Sequence, residues 1–558
     1  MISADPPTFL CNRAPIRLYN AGRFLERCPV EWNAMNRVSL AITRQLCSFA
    51  LLATLQLSGC GGSGSPPPPP GGKVFMDAQS PRLATVSKDV FGVNLSASMD
   101  LTNTYSTYDP MMNAFRSANF GIVRWPMAGI SDYYHWQTNS FSSCSSIWNP
   151  IARTTFDQFM QQVAQPLGVD VNITVNYGSN STCTAGADPN EAAAWVDYAN
   201  NQMHYGIKYW SIGNEQYYGD PTLGSTPTTP DFNVSPTDPG SAGSATYANL
   251  MASQFYPLMK AKDPTIQIGV DLVVPDNNAS MRTTPWDSTV LANASFDFVE
   301  VHWYGSSPAN VAISDSALLT SGIAYFSSAV TQLRSELGAA GKANVPIYVG
   351  EWGIPGADGG SPQSVTIVGA LYTAMAYGEL MNAGIPMAGL WEGFESDCNP
   401  AAPGDYSKQD WFMSSLFQAY SVGSVPGCAT ALPAPGTPLP RANARAVVQQ
   451  ALNTGDEVFS PALTSLSTVK AYAGRRSSGY GLLLVNLDEN NDINASVEVV
   501  NDSRSFAVST LVYGKAQYDE SQNNVWSPPM SQSLGVVSGS LAVDLPPWSI
   551  TAITLSAQ

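Results

Sequence analysis

Charge is scarce and one-sided: 12% of the residues are Asp, Glu, Lys or Arg, and 26 basic residues face 43 acidic ones. A nucleic-acid partner calls for the opposite balance, so that class is excluded, and polyanionic substrates are weakly disfavoured. Histidine is scarcer still, three in 558 residues, and no Cys-x-x-Cys occurs. A structural zinc site therefore lacks its usual ligands. No Gly-rich phosphate loop follows any strand-like run, which argues against an open dinucleotide-binding sheet. No repeat of solenoid period is visible. The apolar run Leu46 to Leu57 falls short of the ~20 residues a membrane span needs. What remains is 44% hydrophobic residues, ample for a globular core, on a chain too long for one ordinary domain.

The beginning of the chain reads as an export signal. Arg37 and Arg44 form a charged n-region, Leu46 to Leu57 the apolar h-region, and Leu57-Ser58-Gly59-Cys60 resembles a bacterial lipobox. Residues 35–59 are then a lipoprotein signal peptide starting at Met35, and residues 1–34 are an upstream-start extension absent from the cell. Cys60 is the expected lipidation site. Gly61 follows where Asp would signal inner-membrane retention, which favours the outer membrane of a bacterial envelope. Residues 60–72, Gly- and Ser-rich and then Pro66 to Pro70, make a flexible and partly stiff linker. Removing residues 1–59 takes six Lys/Arg and three Asp/Glu, leaving 26 − 6 = 20 basic and 43 − 3 = 40 acidic residues, a net of about −20. Four cysteines stay in the mature chain, Cys144, Cys183, Cys398 and Cys428. In an exported protein they are expected as disulfides. Three pairings exist, of which Cys144–Cys183 and Cys398–Cys428 each close a loop between neighbouring elements.

From residue 89 to 454 short apolar runs alternate with amphipathic stretches, the pattern of parallel strands and crossover helices. Eight strands are expected: Val90–Leu95, Gly121–Pro126, Val169–Tyr177, Ile207–Glu215, Ile266–Val274, Phe296–Tyr304, Pro346–Trp352 and Met387–Phe394. Helices are expected between them, the last over Arg441–Asn453. The reading is α/β, a (β/α)8 TIM barrel. Residues 455–558 change texture to short strands parted by Gly, Asn, Asp and Ser with no helical period, hence a C-terminal β-sandwich. Residues 73–88 are expected to add a strand to it.

Two of the barrel strands end alike. Tyr209-Trp210-Ser211-Ile212-Gly213-Asn214-Glu215 and Pro346-Ile347-Tyr348-Val349-Gly350-Glu351 both run apolar and stop on a carboxylate. Active sites of parallel barrels gather at strand C-termini, and glycoside hydrolysis needs two carboxylates. Other polar and aromatic residues fall at the same strand ends: Asn94, Arg124, Asn176, Tyr177, His302, Tyr304 and Trp391. Singly each has a bland reading, packing for Trp391 or an ion pair for Arg124. Together they outline a polar, aromatic-walled cleft suited to carbohydrate. Glu392 is a third carboxylate near the mouth, read as binding or inert.

Trp-x-Ile-Gly-Asn-Glu on the fourth strand, His-x-Tyr on the sixth and a Glu ending the seventh resemble clan A retaining glycoside hydrolases. With Arg124-Trp125-Pro126 and the closing Leu545-Pro-Pro-Trp-Ser-Ile-Thr, residues 74–558 are most similar to α-L-arabinofuranosidases and the neighbouring β-glucuronidase/heparanase group. The resemblance implies Glu215 as general acid/base and Glu351 as nucleophile. It places Asn214 on the sugar 2-OH and Tyr304 beside Glu351. Arg124 would keep Glu351 ionised, His302 would line the floor and Trp391 would face the sugar ring. One departure stands out. Pro126 is followed by Met127-Ala128-Gly129 rather than Pro-Gly-Gly, side chains that would close part of the pocket. The expected function is retaining hydrolysis of O-glycosidic bonds in a poly- or oligosaccharide, arabinofuranosidase-like, without cofactor or metal. The alternatives are β-glucuronidase/heparanase-like or endo-glycanase activity, and a catalytically silent carbohydrate-binding lipoprotein. Both carboxylates being present favours an enzyme. Carbohydrate is the expected partner, and the membrane is met only through the lipid.

Overall fold

A computed structural model describes residues 72–102, 108–127, 129–142, 152–219, 241–273, 286–304, 313–354, 362–393, 416–417, 433–523 and 525–558. The chain divides at residue 67 into an N-terminal part, which lies outside the described residues together with the signal peptide and Cys60, and one compact unit. Among the described residues no helix is long and apolar enough to cross a membrane.

Eight parallel strands close into a barrel in sequential order: β1 (Gly92–Asn94), β2 (Ile122–Trp125), β3 (Asp170–Val175), β4 (Tyr209–Ile212), β5 (Gln267–Asp271), β6 (Phe298–Tyr304), β7 (Ile347–Gly353) and β8 (Ala388–Leu390). Each is shorter than or close to the expected run. Being buried on both faces, the strands read as nearly unbroken apolar runs. Side chains alternate between barrel interior and helix layer. Trp125 faces the helices, stacking on Phe159 at 5.1 Å, and Trp303 meets Phe326 at 4.3 Å. Inside, Ile122, Phe298, Tyr348 and Met387 form an apolar plug near the strand beginnings, with Tyr209 packed against it.

The remaining described strands form three sheets, one of them the short antiparallel pair Tyr134–His135 and Ser140–Phe141. Seven pair in the order Met530–Val537, Phe506–Gly514, Ser549–Ala557, Gly479–Asn486, Val469–Arg476, Glu457–Phe459 and Ala84–Thr85. Four pair as Ala462–Thr464, Gly72–Asp77, Ile493–Val500 and Ser540–Leu545. Gly72–Asp77 runs parallel to Ile493–Val500, and Lys73 Nζ lies 2.9 Å from Glu498 Oε1. Several elements depart from the sequence expectation: residues 73–88 were expected to add one strand and supply two, one to each of the two larger sheets, and Glu457–Phe459 and Ala462–Thr464 are further short strands. Met530–Val537 is an added edge strand whose side chains are mostly exposed, so it shows no hydrophobic alternation. Lys515–Ser521 is a helix within the sandwich, too short for a helical period to register.

Barrel and sandwich meet along the helix Ile367–Asn382, nearly all of whose residues are buried. Gly378 allows the approach: a Cβ there would lie 2.5 Å from the Tyr472 ring, whose hydroxyl donates to Glu379 at 2.9 Å. From the helix Pro440–Ala451, Arg445 reaches the barrel's underside and donates to the carbonyls of Ala118 and Phe91, sandwiched by the Phe91 and Phe120 rings.

Candidate active site

Because β6 alternates, Glu300 and His302 turn into the barrel while Val301 and Trp303 face out. Above the apolar plug the interior is therefore polar. Arg124 from β2 is its hub. Its Nε lies 2.9 Å from Glu300 Oε1, its Nη1 donates to Glu351 Oε1 at 2.9 Å and to Asn94 Oδ1 at 3.2 Å, and its Nη2 donates to Asn214 Oδ1 at 2.9 Å. Asn94 is spent on this scaffold, since its amide donates to the Gly350 carbonyl at 3.0 Å and the Gly389 carbonyl at 3.1 Å. The Tyr304 hydroxyl donates to Glu351 Oε2 at 2.7 Å. His302 Nδ1 is 2.9 Å from Glu215 Oε1 and 3.5 Å from Glu351 Oε2, and its Nε2 is 3.2 Å from Glu300 Oε1.

The two strand-ending carboxylates come together here. A donor atom from each of Glu215, His302 and Glu351 lies within 4.8 Å of the other two. Glu215 sits just past β4 at φ 53°, after Gly213 at φ 80°, so the chain turns through the left-handed region at the strand tip. Its side chain is 26% exposed while that of Glu351 is 5% exposed. The first is reachable from solvent and the second is walled in.

Electrostatics differ accordingly. Burial lifts the Glu351 carboxyl above its ordinary range and Glu215 adds to the rise, although His302, Arg124 and the Tyr304 hydrogen bond pull the other way. Burial by itself would depress the His302 imidazolium, but Glu351, Glu215 and Glu300 outweigh it and push the group up to about 10. Burial also opposes the charge on Glu300, and there Arg124, His302 and Ser211 win, holding the carboxyl below its usual range. Asp271, at the end of β5, is pushed well up by burial and by Glu300. Burial and the Glu351 charge do the same to the Tyr304 hydroxyl, which keeps its proton and donates. In its doubly protonated form the His302 ring donates from both nitrogens and offers no lone pair.

Not every expected residue joins this network. Asn176 is turned onto the following loop, donating to the Ser179 carbonyl at 2.9 Å and accepting from its N–H at 3.3 Å. Tyr177 was expected in the cleft; its ring is instead buried among Tyr247 and Phe255, because the residue after Asn176 falls on the outward face. Trp391 is half-buried, its carbonyl accepting from Arg441 Nη1 at 2.9 Å. Glu392, read from the sequence as a carboxylate near the mouth, is buried at 1% exposure. Met127 is buried at φ 84°, a backbone conformation that favours glycine. The Cys183 sulfur is in a disulfide, while Cys144, Cys398 and Cys428 lie outside the described residues.

Sequence reading missed Glu300, Asp271 and Asp132. Glu300 could have been found from its place two residues before His302 on one strand face. Asp132 lies in the 3-10 helix Gly129–Tyr133 that follows β2, and nothing in the sequence shows that its carboxylate accepts from the N–H groups of Asn214 and Tyr177 at 3.2 and 3.3 Å. A cavity of about 600 Å³ lined by Trp286, Leu291, Glu336 and Lys342 shares no residue with the carboxylate cluster.

Fold and site together define a closed parallel barrel carrying two facing carboxylates at its strand ends, joined to a β-sandwich. No protein-family model matches the sequence, and no curated protein does. Solved structures do. An α-L-arabinofuranosidase from Thermotoga maritima is similar with a TM-score of 0.63 at 15% identity, over 87% of this chain and 100% of that one. A family 51 α-L-arabinofuranosidase from Thermotoga petrophila matches with 0.63 at 15%, over 86% and 99%. A family 44 xyloglucanase from Paenibacillus polymyxa gives 0.54 at 11%, over 87% and 99%. The fold is the one that these two arabinofuranosidases and the xyloglucanase also have.

Proposed function

We propose that the chain is a retaining O-glycoside hydrolase acting on an oligo- or polysaccharide. One observation carries the reading: carboxylate oxygens of Glu215 and Glu351 lie within 4.8 Å of each other. Retention calls for carboxyl groups roughly 5–5.5 Å apart, whereas inversion needs roughly 6.5–9.5 Å to admit a water. In this reading Glu351 attacks the anomeric carbon while the bond to the leaving oxygen breaks and Glu215 passes its proton to that oxygen. Water then attacks the same carbon, Glu215 takes a proton from it, and the ester to Glu351 breaks. Arg124 and Tyr304 hold one oxygen each of Glu351, which fixes the nucleophile's aim. Because Arg124 claims the amide oxygen of Asn214, the amide NH2 is the end left for a sugar hydroxyl.

The sugar is proposed as arabinofuranose, on the motifs and on the similarity in fold to arabinofuranosidases. An endo-glycanase is the second reading, supported by the similarity to the family 44 xyloglucanase and to a bifunctional glucanase-xylanase with a TM-score of 0.55 at 15% identity. Attachment to the cell envelope through Cys60 belongs to the same proposal. The test is a panel of 4-nitrophenyl glycosides, arabinan, xyloglucan and β-glucan, with the product anomer followed by NMR. Glu351→Gln is expected to abolish turnover of every substrate. Glu215→Ala is expected to spare substrates with good leaving groups and to be rescued by azide. Initial release of the inverted anomer would refute retention.

A further inference from the structure

The double-displacement reading moves a charge. Before the first step Glu351 is the carboxylate and Glu215 carries a proton. Once the anomeric carbon is bonded to Glu351 that oxygen's charge is gone, and Glu215, its proton given to the leaving group, holds it instead. His302 Nδ1 stands between the two, 2.9 Å from one and 3.5 Å from the other.

What stands behind that ring is unusual. Glu300 is a carboxylate with no solvent exposure, deep in a parallel strand where apolar residues are the norm. Its Oε1 meets both Arg124 Nε and His302 Nε2, and its Oε2 accepts from Ser211 and, at 3.2 Å, from Asn172. The neighbouring strand makes room for it: a Cβ on Gly350 would sit 2.1 Å from Glu300 Oε1. An ionised carboxylate is an acceptor only, and His302 has Glu300 at Nε2 and, at Nδ1, whichever of Glu215 at 2.9 Å and Glu351 at 3.5 Å is ionised. Both nitrogens can donate only if both carry hydrogen. The titratable and charged groups facing the ring are Glu300 on its own strand, Glu215 past β4, Glu351 on β7, Arg124 on β2 and Asp271 on β5, the last favoured in its neutral form by burial and by Glu300.

We infer that Glu300 is a positioning residue of this site: its buried carboxylate keeps the His302 ring doubly protonated, so that a single Nδ1–H serves whichever of Glu215 and Glu351 bears the negative charge. The inference deepens the glycosidase reading and rests on it for the second half of that statement. With Glu215 in its acid form, Arg124 and His302 balance Glu300 and Glu351. When the charge passes from Glu351 to Glu215 the balance holds, and the donor between them need only tilt. Removing Glu300 withdraws the partner of Nε2, and the ring is left with an ordinary reason to lose a proton.

The small number of histidines makes this measurable. The full chain labelled with 15N-histidine gives three imidazoles, and His302→Gln identifies which one is His302. In the wild-type chain His302 is expected to keep both ring protons beyond about pH 8, past the ~6.5 of an ordinary imidazole. In Glu300→Gln it is expected to lose one within about pH 6–8, and the alkaline limb of kcat/KM to move down by about one unit or more. A His302 that is neutral near pH ~7 in the wild-type chain overturns the inference. So does a Glu300→Gln chain that loses activity while the histidine signal and the limb stay in place, because that is what a merely structural residue would do. Should Glu300→Gln fail to fold, Glu300→Asp keeps the charge and withdraws it by one methylene. A partial fall in the histidine titration is then expected, and no fall overturns the inference. The spectrum requires no substrate. A chain inert to every glycoside whose His302 nevertheless behaves as expected would defeat the glycosidase reading and leave the role of Glu300 standing.

Discussion

Replacing Tyr304 by Phe removes one hydroxyl and leaves the ring in place. The hydroxyl lies 2.7 Å from Glu351 Oε2 and opposes the upward push of burial on that carboxyl. Hydrogen bonds to charged groups contribute about 1.5–3 kcal/mol. At 1.36 kcal/mol per pKa unit, losing this one should raise the carboxyl by about 1–2 units. The sign follows from the nucleophile's needs. In the proposed mechanism Glu351 attacks only when ionised, and burial already lifts its carboxyl above the ordinary range, so a further rise moves the acid limb of kcat/KM to higher pH. The limb should shift up by about 1–2 units, with the steepest loss of rate below it and a smaller loss above. Arg124 still holds Oε1 at 2.9 Å, so the nucleophile keeps its position and the protein its fold. The assay is kcat/KM against pH on the best substrate of the panel, wild type beside Tyr304→Phe, with thermal unfolding as a control for folding. A limb that stays in place, or moves to lower pH, would refute the assignment of that limb to Glu351.

Gly350→Ala should destabilise the chain, since its Cβ would lie 2.1 Å from Glu300 Oε1. The cost should be at least the ~1–3 kcal/mol of overpacking, read as a lower denaturation midpoint. Cys60→Ala should release the protein from membranes of a lipoprotein-processing host, and mass spectrometry of the wild-type protein should find an acylated Cys60 as its first residue. Thiol labelling of the denatured, unreduced mature chain should find no free cysteine. Two reactive thiols would contradict the pairing of Cys144 with Cys183 and Cys398 with Cys428.

The parts of this molecule that follow from local pattern were legible. Apolar runs separated by amphipathic ones announce strands and helices, and the closed barrel has its eight strands in those places. Gly-Asn-Glu and Gly-Glu at two strand ends were visible as a pair, and the fold brings an oxygen of each carboxylate within 4.8 Å of the other. What escaped has a common cause. Glu300 sits inside a strand, where a lone charge among apolar neighbours looks like an error of alternation until Arg124 and His302 are seen around it. Tyr177 was misplaced because a strand's last residue faces in or out by a single step of the pleat, and the expected strand ran two residues past the observed Val175. Met530–Val537 lies at a sheet edge with both faces wet, so burial leaves no imprint on its sequence. Asp132 works through backbone N–H groups of distant segments, and backbone partners have no signature in the residues themselves.

The two strands that precede the barrel have a consequence for the order in which this chain can assemble. Gly72–Asp77 belongs to one sheet and Ala84–Thr85 to the other, and both find their partners only after the barrel has been traversed. Lys73 and Glu498, joined across that pairing, are 425 positions apart. A chain emerging N-terminus first thus presents its first strands long before anything exists for them to pair with. Closing so long a loop costs only slowly more entropy than closing a short one, but contacts of such separation delay folding. Until the strands beyond residue 457 arrive, the apolar Val74 and Met76 have no core to enter, and a chain cut before residue 493 leaves Gly72–Asp77 without its parallel partner. The beginning of the protein is finished by its end.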